Sequence, residues 1–130
     1  MSFLRRIITK ISGTPTKMVL VVRADLKLSK GKTGSQCAHA AVICYHRTLD
    51  RHPDLCSTWF AQGQPKIVLK VDSLTELKEL QKAAKAQGIV AEAVRDAGRT
   101  EIEAGTTTVL GIGPDDKEKI DSIVKHLKLL

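Results

Sequence analysis

Residues 17–41, KMVLVVRADLKLSKGKTGSQCAHAA, contain the change of pattern that sets the fold. Met18 to Val22 is an unbroken apolar run, rich in β-branched residues, ending at Arg23-Ala24-Asp25. A run that short, without polar alternation, reads as a strand covered on both faces. Lys27 to Gly34 mixes Lys, Gly and Ser and reads as a loop. From Ser35 to about Asp50 the spacing becomes helical, with Cys37, Ala41 and Cys44 on the inward side and Ala38 and Ala40 beside them. Such small side chains let a helix lie close against a sheet. A strand feeding a helix in this way begins an α/β domain.

The same reading extends along the chain. Pro65 to Val71 is a second strand. Ser73-Leu74-Thr75-Glu76 is a capping box that opens a helix, with Leu74, Leu77, Leu80 and Ala84 inward and Gly88 as its stop. Ile89 to Val94 and Thr107 to Ile112 are two further strands. Gly113-Pro114-Asp115-Asp116 is expected to start the last helix, with Pro in the first turn and Asp at the positive dipole end. Ile120, Ile123, Val124 and Leu127 make that helix's apolar stripe. The order predicts a three-layer α/β/α domain with a four-stranded mixed sheet, its last two strands joined by a short link.

The chain's 130 residues suit one domain able to bury roughly two-thirds of its unfolded surface. Gly13-Thr14-Pro15 marks a boundary. Residues 1–16 are read as a flexible basic arm and 17–130 as the domain; an organelle-targeting signal and the stub of a longer N-terminus are the alternatives for the arm. No stretch approaches the ~20 apolar residues of a membrane span. Lys and Arg number 21 against 14 Asp and Glu, a balance of +7. That charge attracts polyanions, nucleic acid or anionic lipid, unless it is only a solvated lysine-rich surface. The aromatics are few, Phe3, Tyr45, Trp59 and Phe60, which argues against binding single strands by base stacking. Cys37 and Cys44 would stand roughly 10 Å apart along one helix, too far for a disulfide, which suggests a reduced, intracellular protein. Cys37 and His39 are not a zinc ligand set, and no metal or cofactor is expected.

In α/β sheets the working groups lie at the carboxyl ends of strands. Here the first strand runs into Leu28–Gln36 and the third into Asp96–Thr100. Gly31-Lys32-Thr33 matches the end of a phosphate-binding loop, but the required earlier glycine is Leu26, so that pattern fails. A helix N-terminus beside Lys32 still offers N–H groups and a cation to a phosphate or an oxyanion. Asp96 before Ala97-Gly98 reads as a turn or as a site residue. It would pair with Lys32 as a plain salt bridge or to work on a substrate. His39 is a helix histidine or a general base. Cys37 is a packing residue or, with a lowered pKa, a nucleophile. Thr106 and Thr108 are strand material or hydroxyls for phosphate and ribose.

Four segments, KMVLVVRADLKLSKGKTGSQCAHAA, GQPKIVLKV, DAGRTEIEAGTTTVLGIGP and the terminal helix, occur in order from Lys17 onward. Together they resemble the archaeal and eukaryotic class of peptidyl-tRNA hydrolases, the GK-x-x-x-QC-x-HA and DAGRT elements being the specific part. The resemblance implies a mixed four-stranded sheet with helices on both faces, a homodimer, and hydrolysis of the ester joining a peptide to the ribose of a tRNA 3′ end, which recycles tRNA from stalled ribosomes. The expected catalytic residues are Lys32, Asp96, Thr100 and His39. Lys30, Gln36, Arg99, Thr106 and Thr108 are expected to hold the acceptor stem and 3′ end. Water would be the nucleophile, oriented or deprotonated by Asp96, with Thr100 as an intermediary, while Lys32 and helix N–H groups meet the oxyanion. Thr33-Gly34-Ser35 departs from the small or apolar residue that many relatives carry before the Gln. The long hydrophobic N-terminal segment of some animal relatives is missing, so the cytoplasm is the expected compartment, with the mitochondrion as alternative. A non-catalytic RNA- or protein-binding adaptor and a small nucleotide-binding domain are the competing readings.

Overall fold

A computed structural model describes residues 13–98 and 102–130. Residues 1–12 of the expected arm, and Arg99 and Thr100, lie outside the described residues. The elements run β1 (Thr16–Arg23), a 3-10 turn (Ala24–Leu26), α1 (Lys30–Arg51), α2 (Pro53–Ala61), β2 (Lys66–Val71), α3 (Leu74–Ala86), β3 (Ala91–Arg95), β4 (Thr107–Asp116), α4 (Lys117–Val124) and β5 (Lys128–Leu129). The sheet order is β3-β4-β1-β2-β5. β1 and β2 are parallel, while β4 is antiparallel to both β1 and β3. The expected mixed α/β architecture is present.

Alternation along β1 sorts the core into two layers. Met18, Leu20 and Val22 face Cys37, Ala40 and Cys44 of α1 and Trp59 of α2. Val19 and Val21 face Leu77, Leu80 and Ala84 of α3 and Ile120, Ile123 and Val124 of α4. The capping box at Ser73 forms as read: its hydroxyl accepts the Glu76 N–H at 3.1 Å, and the Glu76 carboxylate returns to the Asp72 N–H at 2.9 Å. Among the described residues no helix is long and apolar enough to cross a membrane.

Four details differ from the sequence reading. The sheet has five strands, because Lys128–Leu129 adds antiparallel to β2 at Lys70 and Leu69; two residues are too few to leave a period. α1 begins at Lys30, not Ser35, because the Ser29 hydroxyl caps it by accepting the Lys32 N–H at 3.2 Å. Gly31 and Gly34 therefore lie in the first and second turns of the helix and not in a loop. Gly113-Pro114-Asp115-Asp116 extends β4 instead of opening the last helix, since β1 starts early enough for Thr16 and Lys17 to pair with Asp116 and Asp115. Pro114 follows a cis peptide bond there. The segment after Arg51 forms the further helix α2, with Pro53 in its first turn and Cys56 and Trp59 turned inward.

The seating of α1 on the sheet depends on Gly111 in β4. A Cβ added there would stand 2.5 Å from the Cys44 sulfur and 3.2 Å from the Ala40 carbonyl oxygen. The helix lies so close to the strand that the Cys44 side chain and the Ala40 carbonyl occupy the space a β-carbon would need. Gly111→Ala is therefore expected to destabilise the fold by about 1–3 kcal/mol through overpacking, with part recovered in Gly111→Ala/Cys44→Ala. Thermal unfolding of the three proteins checks this, and an unchanged midpoint for Gly111→Ala would refute the close contact.

Candidate active site

The C-terminal ends of β1 and β3, the head of β4 and the N-terminus of α1 converge on one edge of the sheet. Asp96 follows β3 directly. Its N–H donates to the Thr106 carbonyl at 2.8 Å and its own carbonyl accepts the Gly105 N–H at 2.8 Å, tying the end of β3 to the residues just before β4. Its side chain has 0% of its surface exposed. A carboxylate so covered requires charged or donor partners. Lys32, in the first turn of α1, places its ammonium on Oδ1. The Gly98 N–H donates to Oδ2 at 2.6 Å. Gly98 adopts φ +80°, and a Cβ there would meet the Ala104 Cβ at 2.6 Å, so only glycine supplies this donor without strain.

These partners set the protonation of Asp96. The Lys32 hydrogen bond is the main influence holding its carboxyl below the usual carboxylate range. The Gly98 N–H and the lysine charge add to it, against the opposing effect of burial. Asp96 is thus an anion at neutral pH. The paired arrangement foreseen for Lys32 and Asp96 is present. A buried ion pair is weak evidence for stability, and a perturbed carboxylate of this kind marks a candidate working site.

A second contact ties α1 to the same edge. The β3–β4 register passes from Val94↔Val109 to Arg95↔Thr107, leaving Thr108 as an extra residue on β4. Such a bulge re-aims a side chain. The buried Thr108 hydroxyl donates to the Val94 carbonyl at 3.3 Å and accepts the Gln36 side-chain N–H at 2.7 Å. Gln36 lies one turn beyond Lys32 on the same helix face and is buried as well.

Of the remaining expected residues, Lys30 is exposed in the first turn of α1, and Thr106 enters through its carbonyl with its side chain half-buried. His39 is exposed on α1, and among the described residues none lies within hydrogen-bonding or ion-pairing reach of its ring. Arg99 and Thr100 lie outside the described residues. Burial pushes the Cys37 thiol up, which suits packing and not nucleophilic attack. Three contributors went unread in the sequence: the Ser29 cap, the Gly98 donor, and Arg23, whose guanidinium reaches Asp25 and the Thr107 carbonyl. The Ser29 cap, a hydroxyl residue ahead of a helical pattern, and Gly98, in the turn read after Asp96, had local signals, whereas Arg23 had none. The larger hollow, about 680 Å³ between α3, α4 and the end of β2, and a smaller one of about 370 Å³ beside Arg51 and Lys85 both lie away from this pair. No three His, Cys, Asp or Glu side chains among the described residues group to hold a metal.

A family model described as peptidyl-tRNA hydrolase PTH2 matches residues 16–130. The chain is 47% identical over 114 residues to the peptidyl-tRNA hydrolase of Thermoplasma acidophilum, covering 88% of this chain and 97% of that one. It is 49% identical over 114 residues to the peptidyl-tRNA hydrolase of Methanothermobacter thermautotrophicus, covering 88% and 99%. It is 50% identical over 113 residues to the mouse protein named peptidyl-tRNA hydrolase 2, mitochondrial, of which it spans 62%.

The depressed folded pKa of Asp96 gives a signed expectation. The contribution of the pair to stability is complete above the ordinary carboxylate pKa near ~3.9 and is lost as pH falls through the lower folded value. The Asp96 carboxyl carbon should titrate below the ordinary value by NMR, and Lys32→Met should move that midpoint upward. A wild-type midpoint at or above ~3.9 would contradict the charged pair.

Proposed function

This chain belongs to the peptidyl-tRNA hydrolase PTH2 family, and we propose that Lys32 and Asp96 form the reacting centre at which it hydrolyses the ester between a peptide and the 3′ ribose of tRNA. The observation that carries this reading is the covered Lys32–Asp96 pair at the carboxyl edge of the sheet. Water attacks the acyl carbon. As the new C–O bond forms, charge collects on the carbonyl oxygen. The bond to the ribose oxygen then breaks, and that oxygen leaves with a proton from the water. The products are free tRNA and a peptide acid, which ionises to the carboxylate by giving the water's other proton to solvent. Lys32 and the first-turn N–H groups of α1 supply the positive field for the developing oxyanion. Asp96 is too weak a base at neutral pH to abstract a proton unaided, so its role is to orient the water and hold the lysine, with Thr100 carrying the contact to the water.

Gln36 and Thr108 are spent on each other. Their part is to fix the height of α1 above β4, beneath the substrate. Lys30, Arg99 and the Thr106 hydroxyl contact the acceptor stem and 3′ end. His39, exposed and with no carboxylate within reach of its ring among the described residues, joins that binding surface in place of a general-base role. A chain with a balance of +7 would bind the stem phosphates largely without reading sequence. The exposed apolar residues Val42, Ile43, Leu49 and Phe60 on α1 and α2 support pairing of two copies. The activity belongs where peptidyl-tRNA is released, in the cytoplasm or in the mitochondrion, and returns tRNA to translation.

Incubation with an N-blocked aminoacyl-tRNA should release free tRNA; no release from the folded protein would defeat the reading. Lys32→Ala should lower the rate roughly a hundred- to a thousandfold with the fold retained by circular dichroism. Binding of tRNA should weaken steeply between low and moderate salt, and a flat salt response would count against a phosphate-contacting surface.

A further inference from the structure

The β1–β4 ladder stops one residue before β1 does. Val22 faces Val109, and no pairing follows, although β1 continues to Arg23. The next residues of β4 toward the edge are the bulged Thr108 and then Thr107. The Thr107 carbonyl is taken by a side chain: Arg23 Nη1 donates to it at 3.2 Å. The same guanidinium is gripped along one edge by a single carboxylate, Nε donating to Asp25 Oδ1 at 3.2 Å and Nη2 to Oδ2 at 2.6 Å. A planar guanidinium held in that fork has its remaining donors fixed in direction. Only 13% of the Arg23 side chain is exposed.

Thr107 lies between two residues that hold the Lys32–Asp96 pair. The Thr106 carbonyl accepts the Asp96 N–H, and the Thr108 hydroxyl accepts the Gln36 amide of the helix that carries Lys32. A shift of Thr107 therefore moves the carboxylate and the ammonium by separate routes. We infer that Arg23, oriented by Asp25, is a positioning residue for the reaction. It supplies the hydrogen bond that the interrupted ladder lacks, and so holds the bulged head of β4 on which both halves of the site rest. The inference rests on Lys32 and Asp96 being the reacting centre.

A plain electrostatic role for Arg23 predicts different behaviour. If Arg23 served as a phosphate-binding cation, Arg23→Lys would keep function and Asp25→Asn would tighten tRNA binding by freeing the charge. As a clamp, Arg23→Lys and Asp25→Asn each lower kcat roughly ten- to a hundredfold with KM changed by less than about twofold, because misplacement acts on the chemical step. The double variant is no slower than the worse single one, since both break the same contact. A readout independent of catalysis accompanies this. By NMR, the Gln36 side-chain amide signals and the exchange rate of the Thr108 N–H change in both variants while most other signals stay in place. Wild-type kcat in Arg23→Lys, tighter tRNA binding in Asp25→Asn, or unmoved Gln36 and Thr108 signals would each overturn the clamp. If the wild-type protein releases no tRNA, the functional reading fails, and the Gln36 and Thr108 signals still decide whether Arg23 holds the strand.

Discussion

A carboxylate without exposed side-chain surface dominates one edge of this domain. Asp96 is tolerated there because an ammonium meets one oxygen and a backbone N–H the other. Each partner imposes a local condition. The ammonium must arrive from the first turn of a helix, which needs Ser29 to start α1 at Lys30. The N–H must come from a residue with positive φ packed against Ala104, which only glycine at position 98 satisfies without strain. The end of β3 must be tied to the residues just before β4, which the paired bonds to Thr106 and Gly105 accomplish.

The helix that brings Lys32 is set by packing as much as by charge. Gly111, Ala40 and Cys44 let α1 sit close on β4, and the Gln36–Thr108 bond holds it there. The opposite layer, α3 and α4, is an ordinary apolar cover over Val19, Val21, Leu110 and Ile112. It supports the sheet without reaching the charged pair. The site thus belongs to one face and one edge, and the rest of the core keeps that edge rigid.

A pair of charges this well covered is an expensive way to stabilise a domain, since its removal from water offsets much of the attraction. Its position at the carboxyl edge, beside a helix N-terminus, suits acyl chemistry, where negative charge appears on an oxygen that had little before. The net charge of +7 suits a substrate whose bulk carries a phosphodiester backbone. Both features accord with the family to which residues 16–130 belong.

Much of this was legible in the sequence because it rests on local periods and caps. The apolar run at Met18–Val22, the Ser73–Glu76 box, the small inward residues of α1 and the loop ends carrying Lys32 and Asp96 each have a short-range signature. That Lys32 and Asp96 meet was foreseen, but only the fold brings them together. Tertiary structure alone decided the rest. β4 runs through Pro114 to Asp116 because β1 offers it partners, and β5 exists only as an addition to β2. Thr108 turns toward Gln36 because of a bulge, and Arg23 finds a carbonyl where a ladder ends. His39, promising in its motif, faces outward because the helix rotation was set by Cys37, Ala40 and Cys44. A bulge, a ladder's end and a helix's rotation are relations between segments distant in the chain, and no local window of residues contains them.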